Sequence, residues 1–324
     1  AVLDAVRGTG QQLMMYPSTM STATIGGFIA GGSAGIGSVR HGILRESGTM
    51  RALRIVTLEE QPRILTITGS DIELVHHAWG TNGIIVEVEV ALVPAVEWLQ
   101  CIALFPSYPD VIRFGAAVQA AGIDVFLLSA VDRRFAPYYA EFGQHFDGSA
   151  DAIFSMVNPS HAERFFALAR EHGGRQGLCM TPRELSQAGL PPVHECAYNH
   201  TTLRALKVDR GWTYLQMVVP PHLAPTLIAA QMERYGDEML MHHEFARLGG
   251  QPRLSGLVLV QYLDEDRLDE IMRELAQDGC QVMNAHVHVL EKSGRKQMGD
   301  DELRFKRAVD PHGLMNPGKI LSLA

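Results

Sequence analysis

Between residues 49 and 68 apolar and polar side chains alternate, with Leu53 and Ile55 on one side and Arg54 and Thr57 on the other. That period of two predicts antiparallel strands over 49–58 and 63–68, joined by a turn at 59–62. A run rich in β-branched residues, 84–93, predicts another strand, which Pro94 ends. Upstream, 1–7 reads as the end of a helix stopped at Gly8 and Gly10, and 13–16 as a short apolar strand closed by Pro17. Residues 71–78 read as a short helix with Asp71 near its N-terminus. After Pro94 the pattern becomes a repeating alternation. Strands are predicted at 96–104, 125–130 and 152–157, with helices at 111–121, 135–146 and 161–171. Beyond a loop at Pro191 and Pro192 come strands at 212–219, 253–263 and 282–290, with helices at 223–235, restarting before Leu248, and 267–278. Two successive β-α-β groups predict two ferredoxin-like halves sharing one antiparallel sheet. The fold class is α+β, with a first domain boundary at Pro94.

One stretch departs from both periods. From Thr24 to Gly42 seven of nineteen residues are glycine. Glycine lets a ligand approach the main chain, so the stretch reads as a loop offering amides to something bulky and anionic or flat. The other reading is a glycine-rich turn between core strands. Neither familiar phosphate motif fits. A Gly-x-Gly-x-x-Gly run from Gly35 would need glycine where Arg40 stands, and a P-loop over Gly32 to Gly37 would need lysine where Ser38 stands.

Composition narrows the partners. The 324 residues are 46% hydrophobic and carry a formal charge of −8, without a Lys/Arg block, which argues against nucleic acid or an anionic membrane surface and favours small molecules. No apolar run is long enough for a membrane span and no signal peptide opens the sequence, so a cytoplasmic protein is expected. Cys101, Cys179, Cys196 and Cys280 form no Cys-x-x-Cys, so neither a zinc knuckle nor a redox pair is written in their spacing, and buried reduced thiols are expected. His242-His243-Glu244 lacks the second histidine of a zinc-binding His-Glu-x-x-His helix and reads as helix surface.

Three separated segments carry a family resemblance. They are Pro17 with Thr24-Ile-Gly-Gly27 and the small residues through Val39-Arg-His-Gly42; Trp79-Gly-Thr-Asn-Gly-Ile-Ile-Val-Glu-Val88; and Asp310-Pro-His-Gly-Leu-Met-Asn-Pro-Gly-Lys319. In this order and spacing the chain resembles the flavoprotein family of vanillyl-alcohol oxidase and p-cresol methylhydroxylase (PCMH), which also contains glycolate oxidase and D-lactate dehydrogenase flavoproteins. The resemblance implies FAD as cofactor. It implies a PCMH-type FAD-binding domain over 1–94, an α+β cap over 95–290, and a return segment over 291–324. It places along the cofactor Pro17, Thr24, Ile25, Gly26, Gly27, Gly31, Gly32, Ser33, Gly35, Ile36 and Gly37, then Gly83, Ile85 and Val86, and finally Asn316. Position 41 is often tyrosine in the family and is His41 here. The family's Arg-Gly-Gly-Gly-Thr type loop, which wraps the FAD pyrophosphate, does not precede Thr24, since Arg7-Gly8-Thr9-Gly10 is short and misplaced relative to Pro17. The sequence therefore reads as the second half of an FAD-binding domain plus its cap: a fragment, a natural short form, or a chain whose missing half another chain supplies.

Catalytic candidates come from two clusters. Asn284, His286 and His288 alternate on a predicted strand, so their side chains would share one face. They could abstract a substrate proton, hold a divalent metal, or form a plain polar face. The His-x-x-x-Asp-Gly-Asn-x-His segment of the metal-using relatives is absent, and no metal is assigned. The second cluster is His194, Glu195, Tyr198, His200 and Arg204. Arg204 could clamp a carboxylate and Tyr198 or His200 could act as base, or the whole could be a surface loop. The function expected is an FAD-linked oxidase or dehydrogenase moving a hydride from an alcohol or 2-hydroxy acid to flavin. The alternative is a cofactor-free binding or regulatory subunit that uses the cap sheet as its surface; self-association is open in both.

Overall fold

The computed structural model describes residues 2–6, 8–46 and 48–321; Ala1 and Arg7, at the ends of the expected first helix, lie outside them. The chain forms two compact units, one of Ala1–Gly35, Ile43–Ala95 and Met283–Ala324, the other of Ile36–Gly42 and Val96–Val282. Two boundaries differ from the sequence reading. Residues 36–42 go with the second unit, where the Gly37 amide donates to Phe126 O (2.8 Å) and Arg40 pairs with Asp124 (2.6 Å). Residues 283–290 go with the first, where the Leu290 amide donates to Lys319 O (2.8 Å).

In the first unit β1 (Gln11–Leu13) pairs with β5 (Leu92–Pro94). The strands β2 (Met50–Val56), β3 (Ile64–Thr68) and β4 (Ile84–Val90) form an antiparallel sheet in the order β3-β2-β4. The alternation is realised for Leu53, Ile55 and Arg54, but Thr57 is buried (1% exposed) rather than facing out with Arg54, because positions 53, 55 and 57 share one parity and so one side of the extended chain. Leu53 and Ile55 are fully buried and pack with Phe28, Ile29, Ile67 and Ile72. Register places Ile55 between Leu65 and Ile85 on that core face. Val56 lies between Ile64 and Ile84, and Ile64 and Ile84 are exposed. The expected helix at 71–78 is a 3₁₀ turn, Gly69–Leu74.

The second unit is a nine-stranded sheet. Its first half runs β6 (Leu99–Phe105), the helix Tyr108–Ala120, β7 (Val125–Val131), β8 (Asp151–Val157), the helix Ala162–Glu171 and β9 (Arg175–Met180), with spatial order β7-β8-β6-β9. Its second half runs β10 (Trp212–Val219), the helix Ala224–Tyr235, the short β11 (Met239–Leu240), β12 (His242–Leu248), β13 (Gln251–Gln261), the helix Glu265–Gln277 and β14 (Gln281–Met283), in the order β14-β10-β13-β12. Each half has the fourth strand beside the first and the third between first and second, the ferredoxin-like order. Antiparallel pairing of β12 with β7 fuses them. Aromatic and aliphatic side chains from the four helices and one sheet face make a continuous core, including Phe114, Phe165, Val258 and Ile271.

Close packing under the first helix depends on one glycine. A Cβ on Gly115 would overlap the ring of Phe245 on β12. Gly115→Ala should therefore lower stability by about 1–3 kcal/mol, although alanine is the better helix former. A urea midpoint equal to or above that of the parent would show that Phe245 moves aside freely.

Three predicted elements take other forms. The expected helix at 135–146 is broken into 3₁₀ turns, Arg133–Tyr138 and Ala140–Phe142, because Pro137 sits inside it. The expected strand at 282–290 stops at Met283, where the Asn284 side chain accepts the His286 amide (2.9 Å) and turns the chain. His242-His243-Glu244 is not helix surface but buried strand, since Gly236 caps the preceding helix with a positive φ and β12 follows.

Candidate cofactor site

The glycine-rich stretch is not an open loop. Thr24 caps a helix over Ile25–Gly31, its hydroxyl accepting the Gly27 amide at 3.0 Å. Phe28 and Ile29 anchor one face in the core, while Thr24, Gly27 and Gly31 stay exposed on the other. Gly31 has nothing within 4 Å of where a Cβ would stand. Gly32 and Gly35 serve packing, since a side chain there would strike Phe28 and the Tyr16 carbonyl respectively. Pro17 and Ser33 are half-buried, and Ser33 O accepts the Leu44 amide (2.9 Å). Ile36 is fully buried and, with Gly37, belongs to the second unit.

The end of this helix is held by the second segment. Helix C-termini leave carbonyls without intrahelical partners. Here the His77 amide donates to Ile29 O (3.1 Å), the Trp79 amide to Ala30 O (2.9 Å), and His77 Nδ1 reaches Gly32 O (3.0 Å). His77 and Trp79 both adopt left-handed φ, +53° and +52°, rare for bulky side chains and held only because these bonds and the following Gly80 fix the turn. Burial, helped by Arg295, pushes the His77 pKa down to about 3, so the ring is neutral. Gly83, at φ +89°, leads into β4, where Ile85 packs against Gly26 on the core face and Val86 is exposed.

The third segment closes on the second. Asn316 Nδ2 donates to Trp79 O (2.8 Å) and Gly80 O (3.2 Å), and Lys319 Nζ sits 5.4 Å from the Trp79 ring centroid. Lys306, at the end of the helix Asp300–Val309, is buried, pairs with Asp310 and donates to Thr81 O (2.8 Å) and Met315 O (3.2 Å). Thus residues 24–35, 76–83 and 306–319 make one hydrogen-bonded body.

The catalytic candidates divide between the units. His286 and His288 lie exposed in the turn after Met283 and do not share a strand face. The Nε2 of His288 lies 3.5 Å from where a Cβ on Gly318 would stand, which puts the ring beside the Asn316-Pro-Gly segment. Tyr198, His200 and Arg204 are in the second unit. Arg204 is already engaged: its Nη1 meets Glu141 Oε2 (2.9 Å), its Nε donates to Glu195 O (2.7 Å), and its guanidinium lies over Tyr139. His200 faces Glu195 (3.0 Å), and burial lowers its pKa. The Tyr198 phenol is pushed well above its usual pKa by burial. Its amide donates to Glu244 Oε1 at 2.7 Å.

That last contact belongs to a network the sequence reading missed. Glu244 Oε1 also accepts from Ser129 Oγ (2.9 Å) and faces His242 Nε2 (2.9 Å), while Thr201 bridges His242 and Tyr139. The alternation of His242 and Glu244 along an apolar run was the available signal.

No protein-family model matches this sequence, and no curated protein matches it. Solved structures do match. One structure of alkyldihydroxyacetonephosphate synthase aligns with a TM-score of 0.65 at 14% identity, covering 98% of this chain and 62% of the synthase. The chain shares the fold of that aligned part of the synthase. A second crystal form of the synthase aligns with a TM-score of 0.60 at 14% identity, over 98% of this chain and 60% of the synthase. The chain thus spans about three fifths of the synthase's length. Among the described residues no helix is long and apolar enough to cross a membrane.

Proposed function

We propose that this chain is the flavin-contacting wall and cap of an FAD-linked oxidoreductase acting on an alcohol or 2-hydroxy acid. One observation carries the reading: the three segments that resemble the PCMH-type flavoproteins, far apart in sequence, meet in one hydrogen-bonded body. The likeness to the synthase fold is consistent with it. The residues present fit such a group. The exposed edge of Thr24, Gly27 and Gly31 carries no bulk, whereas Ile84 and Val86, though exposed, flank Ile85 and do not share the face on which it meets Gly26 of that helix. FAD, when bound, supplies a hydride acceptor. This chain's part is to hold it with Thr24, Gly27, Gly31 and Asn316, and to take the substrate proton at His286 or His288, histidine being suited to that near neutral pH. A partner segment or second chain is assigned the pyrophosphate, for which this sequence has no glycine loop of the family's type.

Titrating FAD into the chain tests this. Binding is expected as quenched flavin fluorescence and an absorbance band at about 450 nm. Gly31→Phe should weaken it at least about tenfold, or 1.4 kcal/mol, while leaving the fold intact, because the position is open and phenylalanine is the better helix former. Failure of both this chain and a longer form carrying a pyrophosphate loop to take up FAD would overturn the flavin reading in favour of a cofactor-free binding subunit.

A further inference from the structure

The second unit contains a pair of thiols that no catalytic role uses. Cys101 on β6 and Cys179 on β9 are direct cross-strand partners in the antiparallel register. Their sulfurs are 3.8 Å apart, with the Cys101 thiol pointing its hydrogen at Cys179. Residues directly opposite in an antiparallel pair have Cα atoms about 4.5–5.5 Å apart, inside the range that disulfides span. Access is asymmetric. Cys101 is fully buried, whereas Cys179 is half-buried on β9, the edge strand of the sheet. Cys196 and Cys280 are also buried, and among the described residues Cys101 and Cys179 are the cysteines in contact with each other.

We propose that Cys101 and Cys179 form an oxidation site, closing to a cross-strand disulfide when the protein meets a hydroperoxide or a low-molecular-weight disulfide. Cys179 is the attacking group. The hydrogen bond from Cys101 holds its pKa below the usual thiol value, against the opposing effect of burial, while the same bond and burial push Cys101 up. With hydrogen peroxide, the Cys179 sulfur attacks one oxygen, the S–O bond forms, the O–O bond breaks, and the departing hydroxide leaves as water with the thiol proton. Cys101 then gives up its proton and displaces the oxygen from Cys179; the S–S bond forms, the S–O bond breaks, and a second water leaves. Two thiols lose two electrons and the peroxide gains both. With a small disulfide, Cys179 attacks one of its sulfurs, the small S–S bond breaks and a first small thiol leaves with the Cys179 proton; Cys101 then attacks the Cys179 sulfur of the mixed disulfide, that bond breaks, and a second small thiol leaves with the Cys101 proton. The product ties edge strand β9 covalently to β6.

The test treats the purified chain with hydrogen peroxide and, separately, with glutathione disulfide, then denatures, alkylates, and maps peptides without reduction. Two of the four thiols should become unalkylatable, with a linked peptide pair carrying Cys101 and Cys179 and a mass loss of about 2 Da that reductant restores. In Cys101→Ser, Cys179 should instead stop as a glutathione adduct or proceed to the sulfinic acid. In Cys179→Ser, Cys101 should stay alkylatable, which keeps the test open if the first variant misfolds. A Cys196→Ala, Cys280→Ala variant should still form the link. The proposal is overturned if Cys101 and Cys179 both stay alkylatable, or if wild-type Cys179 accumulates a monothiol adduct without the linked pair.

Discussion

Lys306→Ala is expected to lower the unfolding free energy by about 3–5 kcal/mol, the usual effect of leaving one member of a buried ion pair without its partner. Lys306 and Asp310 are 4% and 3% exposed. The ammonium also satisfies the carbonyls of Thr81 and Met315, so its loss leaves those acceptors dry and releases the return segment from the 76–83 turn. The effect should depend on pH with a definite sign. Burial raises the Asp310 pKa, but Lys306 and the Met315 and Leu314 amides outweigh it, and the net value lies below the usual carboxylate range. A carboxyl depressed on folding stabilises above its unfolded pKa, about 3.9, and that contribution fades as pH falls through the folded value. The gap between parent and variant should therefore be widest at neutral pH and shrink toward pH 3. Urea midpoints at pH 7 and pH 3.5 would check this, and a gap under 1 kcal/mol or independent of pH would remove the pair from the folding account.

Glu244→Ala is the second large effect, with an expected loss of about 3 kcal/mol or more. Glu244 is 1% exposed, and its Oε1 serves the Tyr198 amide and the Ser129 hydroxyl while facing His242. Removing the acceptor strands a half-buried amide at a residue already holding φ +50°. Glu244→Gln keeps an acceptor of the same shape and should cost much less. Equal losses for the alanine and glutamine variants would mean that packing volume, not hydrogen bonding, is what Glu244 contributes.

The pattern of the sequence carried far where local periodicity and burial agree. Leu53 and Ile55 against Arg54 identified the three-stranded sheet, and the alternation after Pro94 identified both ferredoxin-like halves. It failed where a single residue redirected the backbone, as Pro137 and Asn284 do. The histidines at 286 and 288 share a strand face only if the strand continues. The glycine run was misread differently. Its composition argued for a loop, because glycine disfavours helix, yet Thr24 supplies a cap and Phe28 and Ile29 supply the burial that outweighs that preference.

What the sequence determined by itself was therefore the alternating strands and the succession of strands and helices in the paired halves, since each element is written within a dozen or so neighbouring residues. What only the tertiary structure decided was which distant groups meet: Asn316 with the Trp79 turn, Lys306 with Thr81, Glu244 with Ser129 and the Tyr198 amide, and Cys101 with Cys179. The cysteines show the reason. Their spacing encodes no redox pair, and it is the register of β6 against β9, set by which face of each strand is buried, that brings the two sulfurs together.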